Sequence, residues 1–248
     1  MATVATAPSA TAPTDIALSI RGLQAWYGES HVLHGVDLDV HSGEVVTLLG
    51  RNGAGRTSTL RAILGLTGER KGSIRIRGHE TIKLPTYQIA HYGVGYCPEE
   101  RGIFSSLSCE ENLLLPPVVK GLSGGMSVDE IYALFPNLAE RRHSQGTRLS
   151  GGEQQMLAVA RILRTGANLL LLDEISEGLA PVIVQALAKM IRMLKQKGYT
   201  VVMVEQNFRF AAPLADRFYV MEHGRIVEHF ASAQLEDRMP VLKELLGV

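Results

Sequence analysis

Only two cysteines, Cys97 and Cys109, occur in the 248 residues, which leaves no disulfide framework and no CxxC pair. Apolar runs are short, and none approaches the roughly 18 residues that a membrane-spanning helix needs. The opening MATVATAPSATAPT lacks both the positive n-region and the apolar h-region of a secretory signal. A reduced, cytosolic setting is therefore expected, with both thiols as semi-buried packing residues. Neither sign of charge is in excess, since Lys+Arg and Asp+Glu each number 25. That balance argues against a broadly basic nucleic-acid binder and against an acidic disordered chain. No internal repeat is visible. What is present suits a globular chain with one large domain or two small ones: 46% hydrophobic residues, 20% charged, and 25 glycines that point to loops with unusual backbone angles.

The first 14 residues are Ala/Thr/Pro-rich, lack apolar periodicity and read as a disordered tail. From Ile16 to Val40 the pattern is strand-like with partial alternation, broken by a turn at Gly28. Glu44–Leu49 is an apolar run of buried-strand length that feeds into GRNGAGRTS and then a helical pattern. A short strand is expected over Gly72–Arg77. Between about Cys97 and Leu149 the texture becomes mainly helical, as around Val128–Leu134. Helix Glu153–Leu163, strand Leu169–Leu172, helix Pro181–Lys195 and strand Thr200–Val204 follow, with closing strands Phe218–Met221 and Arg225–Glu228 and a short helical tail. Strands alternating with helices predict a parallel α/β sheet.

Gly50–Thr57 lies between an apolar strand and a helix, where a glycine-rich loop turns successive backbone N–H groups toward phosphates. Gly50, Gly53 and Gly55 permit the tight path, with Arg51, Asn52, Ala54 and Ser58 completing the cradle, and Thr57 would place a hydroxyl on Mg²⁺. Arg56 stands where the GxxxxGK[ST] pattern has lysine; it keeps the charge but is longer and forked. Alone, the segment equally fits a strand–helix turn that binds nothing. The second half adds Asp173 and Glu174 at the end of the apolar Leu169–Leu172 run, the end at which α/β sheets place ligands. Asp173 would hold Mg²⁺ through water and Glu174 would activate the attacking water as general base. Together the two halves predict a Mg²⁺-nucleotide site.

Leu149–Gln155, LSGGEQQ, opens an amphipathic helix 24 residues before Asp173 and resembles the signature motif of ABC ATPases. The resemblance covers nearly everything after the tail. It implies a P-loop NTPase fold of ABC type over residues 15–248: a RecA-like parallel-sheet α/β core, an N-terminal antiparallel β subdomain, and a helical subdomain inserted at approximately 98–150. It implies ATP and Mg²⁺ as ligands, and a head-to-tail dimer in which Ser150, Gly151 and Gly152 meet the γ-phosphate bound by the opposite subunit. Tyr27 matches the aromatic that stacks on adenine. Glu99 falls where most members carry the Q-loop glutamine, Ala180 replaces the usual aspartate of the D-loop, and Gln206 occupies the switch-histidine position. Glu174, Gln206 and Glu99 are thus the expected catalytic set.

These departures, with ISEGLAP, VEQN and a terminal LLGV, look like one ATPase subunit of importers for branched-chain amino acids and related amides. That resemblance implies a second ATPase subunit or a second copy as dimer partner, transmembrane permease subunits, a solute-binding protein acting indirectly and no nucleic acid. It also implies a peripheral position on the cytoplasmic face of the inner (plasma) membrane. Two other readings stand beside it: a nucleotide-binding subunit whose hydrolysis is impaired by Arg56, and a non-transport ABC protein. A second LSGG, Leu122–Gly125, lacks the Glu-Gln-Gln continuation and reads as a loop. His31 and His34 are expected to flank a turn without binding metal, Trp26 to pack, and the basic clusters near Arg61–Lys71 and Glu140–His143 to be solvated faces.

Overall fold

A computed structural model describes residues 15–119, 121–122 and 124–247; the expected disordered tail over residues 1–14 lies outside them. The described chain starts with a hairpin of long strands, β1 (Ile16–Tyr27) and β2 (Ser30–His41), followed by β3 (Val45–Leu49), α1 (Arg56–Ile63), β4 (Arg70–Ile76), β5 (His79–Glu80), α2 (Thr86–Ala90) and β6 (Val94–Cys97). Next come α3 (Cys109–Leu114), α4 (Val128–Leu134), α5 (Pro136–Glu140), α6 (Gly151–Arg164), β7 (Leu169–Asp173) and α7 (Pro181–Gln196). The chain closes with β8 (Thr200–Val204), α8 (Phe208–Ala211), β9 (Arg217–Glu222), β10 (Arg225–Ala231) and α9 (Leu235–Leu246).

Two sheets result, one antiparallel in the order β2-β1-β4-β5 and one mixed in the order β10-β9-β3-β8-β7-β6. In the second, β9, β3, β8, β7 and β6 run parallel and only β10 is antiparallel. This is the arrangement the resemblance implies, an antiparallel β subdomain beside a mostly parallel sheet. The central strands β3, β7 and β8 are buried at every position and mostly apolar because both faces are covered. Along β7, Leu170 and Leu172 pack into one core with α6 and α7, while Leu169 and Leu171 pack into the other with α1 and the antiparallel sheet. β8 divides its residues in the same period of two, Val201 and Met203 against Val202 and Val204.

The partial alternation of the first two strands has a cause in register shifts between Ile20 and Leu23 and between Ala25 and Trp26. The strand expected over Gly72–Arg77 runs instead over Arg70–Ile76. It begins earlier because Arg70 pairs with Ala25, and it stops before Arg77, whose φ of 50° leaves the extended region. α3 and α4 start at capping boxes in which Ser108 pairs with Glu111 and Ser127 with Glu130. The loop containing Leu122 and Gly125 is tied to the far end of α6, where Met126 N–H donates to the Leu163 carbonyl and Arg164 Nη1 to the Met126 carbonyl, both at 2.9 Å.

Several side chains differ from expectation. His31 and His34 do not flank a turn; both lie on β2, with His31 stacked on Trp26 at 4.1 Å. Cys97 and Cys109 are fully rather than partly buried, and burial pushes their thiols up to about 12 and about 11, so neither is a thiolate near neutral pH. Arg70 is not part of a solvated face: it is half-buried and donates to the carbonyls of Ala62 and Leu84.

Candidate functional site

β3 delivers the chain to Gly50, and the loop after it is shaped by contacts that tolerate no side chain. A Cβ on Gly50 would lie 2.6 Å from the Met221 carbonyl, and Gly55, at φ 107°, backs onto Leu33 and Gly224. Gly224 N–H also donates to the Ala54 carbonyl at 2.8 Å, so the β9–β10 turn holds the loop from behind. The first helical bond runs from Thr59 N–H to the Gly55 carbonyl. The N–H groups of Arg56, Thr57 and Ser58 therefore precede any intrahelical acceptor, and no side chain caps the helix. They open onto a cavity of about 440 Å³ that is lined by Asn52, Gly53, Ala54, Gly55, Arg56, Thr57 and Ser58, with Val32, Glu99, Glu174 and Glu177. An uncapped helix start without acidic residues in its first turn is electropositive and suits phosphate.

Arg56 turns into this cavity and meets Glu174, Nη2 to Oε1 at 2.8 Å, with side chains 6% and 8% exposed. The same Nη2 reaches Asn52 Oδ1 at 3.3 Å. Nη1 is buried without a hydrogen-bond partner, a donor that a phosphate oxygen would satisfy. The other oxygen of Glu174 accepts the Gln206 N–H at 2.9 Å. Glu174 has a φ of 48°, unusual for a residue with a side chain, and its own N–H donates to the Val204 carbonyl at 2.9 Å. Burial pushes its carboxyl up, and Arg56 and the Gln206 N–H pull it back in part.

Behind Thr57, Asp173 is fully buried at the end of β7. Its Oδ1 accepts the Thr57 hydroxyl at 2.9 Å and its Oδ2 the Tyr96 hydroxyl at 3.0 Å. Burial raises its carboxyl, while those two hydrogen bonds lower it. Among the described residues no group of three or more His, Cys, Asp or Glu is placed to hold a metal by itself. Thr57 and Asp173 instead form a pair of hard oxygen ligands beside a phosphate cradle, a donor set that fits Mg²⁺ shared with substrate phosphates.

The site thus gathers Asn52–Ser58, Glu99 and Glu174, with Asp173 directly behind. Other expected residues lie apart. Gly50 supports the loop from outside the cavity, and Arg51 turns away to the Glu244 carbonyl at 3.4 Å, at the end of α9. Tyr27 is exposed at the tip of the β1–β2 hairpin and is not among the lining residues. The Gln206 side chain borders a neighbouring cavity of about 330 Å³ with Glu174, Ser176 and Glu205. Ser150 caps α6, its Oγ accepting the Glu153 N–H at 3.3 Å. Gly151 and Gly152 begin that helix, and none of the three lines the phosphate cavity.

The two signature glycines, both expected to face a nucleotide, differ. A Cβ on Gly152 would lie 2.6 Å from Ile183 of α7, whereas one on Gly151 would meet only the Arg101 guanidinium at 3.4 Å. Tyr96 and Glu177 were not singled out from the sequence. No local signal marks Tyr96 in the sequence, because its place beside Asp173 comes from the pairing of β6 with β7, where Tyr96 lies opposite Leu171.

A family model described as ABC transporter matches residues 33–177. The high-affinity branched-chain amino acid transport ATP-binding protein BraG of Pseudomonas aeruginosa is 42% identical over 231 residues, which cover 93% of this chain and 99% of that protein. The lipopolysaccharide export system ATP-binding protein LptB of Escherichia coli is 31% identical over 233 residues, covering 93% and 97%. A nucleotide-free ATP-binding cassette from an ABC transporter superposes with a TM-score of 0.80 at 20% identity, covering 93% of this chain and 97% of that one. The ATP binding subunit of an ABC transporter gives 0.75 at 27%, covering 93% and 95%.

Proposed function

The chain belongs to the ABC transporter family of ATP-binding proteins, and from that premise we propose that it is the ATP-hydrolysing subunit of an importer for branched-chain amino acids or related amides. The likeness to BraG over nearly the whole length of both proteins supports the solute class. The observation that carries the chemistry is the convergence of Arg56 and Thr57, at the start of α1, with Asp173 and Glu174, at the end of β7, around one phosphate cradle. In this reading the N–H groups of Gly53 and of Gly55–Ser58 and the free Nη1 of Arg56 bind phosphate oxygens, while the Ala54 N–H closes the loop onto the Arg51 carbonyl at 3.0 Å. Thr57 and, through water, Asp173 hold Mg²⁺, which when bound neutralises charge on the transferred phosphoryl group. Glu174 takes the proton of the attacking water. Gln206 positions the γ-phosphate, and Glu99 contacts the metal, water or a permease subunit.

A head-to-tail dimer, with itself or with a second ATPase subunit, brings Ser150 and Gly151 of one subunit to the phosphate cavity of the other. This accounts for their lying outside the cavity of their own chain. Permease subunits would anchor the pair at the cytoplasmic face of the membrane, with the solute-binding protein acting through them; among the described residues no helix is long and apolar enough to cross a membrane. One observation favours a second reading, nucleotide binding with little hydrolysis: Arg56 occupies the Glu174 oxygen that an attacking water would need.

Mg²⁺-ATP turnover by the purified chain, beside Glu174→Gln and Arg56→Lys, separates the two. Turnover in the parent that is lost in Glu174→Gln supports the hydrolytic subunit. A silent parent with an active Arg56→Lys supports the second reading, and parental turnover in Glu174→Gln rejects the base assignment. Leucine uptake by vesicles containing the permease assembly tests the solute class.

A further inference from the structure

Beyond the ends of β7 and β8 the two segments keep exchanging hydrogen bonds, with carboxylates taking the place of carbonyls. The ladder proper ends where Asp173 pairs with Val204. Just past it, Gln206 N–H donates to Glu174 Oε2 at 2.9 Å. In the reverse direction Ser176 N–H donates to Glu205 Oε1 at 3.1 Å, and Ser176 Oγ lies 2.7 Å from Glu205 Oε2. Each loop therefore lends a glutamate to the backbone of the other. Glu205 is 1% exposed and Ser176 4% exposed, and Glu205 does not line the phosphate cavity.

We propose that Glu205 is a positioning residue for hydrolysis: through Ser176 it clasps the loop after Glu174 to the Gln206 backbone, so that the Glu174 carboxylate keeps the place from which it meets the attacking water. This rests on the reading of Glu174 as general base. A carboxyl is an expensive way to fill space there, since its direct partners are the neutral N–H and hydroxyl of Ser176. The charged groups that bear on it are Glu174, which opposes its ionisation, and Arg56, which favours it. Burial pushes its carboxyl up to about 8, so near neutral pH it is chiefly the neutral acid and can donate to Ser176 Oγ as well as accept from its N–H. Ionisation would place a second charge beside Glu174 and remove that donor.

The full chain carrying Glu205→Leu, Glu205→Gln or Ser176→Ala is compared with the parent and Glu174→Gln for Mg²⁺-ATP turnover and for binding of a fluorescent ATP analogue, in the Arg56→Lys background if that is the form that turns over. Glu205→Leu is expected to lower kcat about 10–100-fold while nucleotide affinity stays within about twofold. Ser176→Ala, which removes only the hydroxyl, falls between, and Glu205→Gln restores most of the rate. With Glu205 intact, kcat declines as pH rises through about 8; Glu205→Gln lacks that decline. Unchanged kcat in both Glu205→Leu and Ser176→Ala overturns the proposal, as does parallel loss of kcat and nucleotide affinity. A dead Glu174→Gln beside either result leaves the base reading standing, whereas parental turnover in Glu174→Gln overturns both.

Discussion

Arg56 and Glu174 neutralise each other across the phosphate cavity, 2.8 Å apart and almost wholly buried. Before nucleotide enters, the cation of the loop is therefore bound to the carboxylate proposed as base. A phosphate arriving at the loop can take the free Nη1 while Nη2 stays on Glu174, but the two anions then compete for the charge of one guanidinium. The free Nη1 and the short side chain of Asn52 give the arginine a path toward the phosphates without leaving the cavity.

That competition makes Glu174→Gln a variant with opposite effects on two quantities. Removing the carboxylate frees Arg56 and takes a negative charge out of the cavity, so Mg²⁺-ATP should bind about tenfold more tightly. The same change removes the proposed general base and should lower turnover by about 10²–10⁴. Titration with a fluorescent ATP analogue and a phosphate-release assay check the two together; weaker binding in this variant would refute the competition.

Stability should report the pair directly. Arg56→Met leaves the Glu174 carboxylate buried with the Gln206 N–H as its remaining short contact, at a cost of about 3–5 kcal/mol in urea unfolding near neutral pH. Glu174 already has its carboxyl raised by burial, and losing the cation raises it further. The deficit is therefore largest at alkaline pH and shrinks as pH falls through the folded-state value, where the group takes up a proton. The double variant Arg56→Met/Glu174→Gln should recover most of the loss.

The strand-to-ligand logic was legible in the sequence because parallel strands buried on both faces leave continuous apolar runs, and those runs end at Gly50 and Asp173. The placement of the phosphate loop and of Asp173 and Glu174 followed. Side-chain partners did not, because they depend on strand order. β8 lies between β3 and β7, which puts Glu205 and Gln206 beside the loop after Glu174, and no local spacing encodes that neighbourhood. The pairing of Arg56 with Glu174 and of Tyr96 with Asp173 escaped for the same reason. Arg70 read as one more surface cation, since sequence pattern cannot distinguish a solvated arginine from one that donates to two backbone carbonyls.

Tyr96 supplies a prediction about pH. Its hydroxyl is one of two hydrogen bonds that hold the Asp173 carboxyl down against the rise caused by burial. Tyr96→Phe removes one of them, so Asp173 should protonate at a higher pH. The acid limb of kcat/KM for Mg²⁺-ATP is expected to move upward in pH, and the Mg²⁺ concentration for half-maximal turnover to rise at the acid end. An unmoved acid limb would separate Asp173 from the metal.

Gly151 and Gly152 sit side by side in the signature yet answer to different demands. At Gly152 a methyl group would be driven to 2.6 Å from the branched side chain of Ile183, half-buried in the first turn of α7, so Ile183 and what packs on it must shift. Overpacking of this kind costs about 1–3 kcal/mol, and Gly152→Ala should lower thermal stability whether or not nucleotide is present. At Gly151 the nearest atoms are the end of the flexible Arg101 side chain at 3.4 Å, which can move aside. Gly151→Ala should leave stability within about 0.5 kcal/mol of the parent, the range of an ordinary surface substitution. If the start of α6 is offered to the nucleotide of a second subunit, it should nevertheless impair turnover, because the added methyl stands between backbone and phosphate. Thermal unfolding and turnover measured on both variants give the answer. A Gly151→Ala protein that is stable and fully active would remove this glycine from the catalytic interface, while one that is stable and slow would place it there.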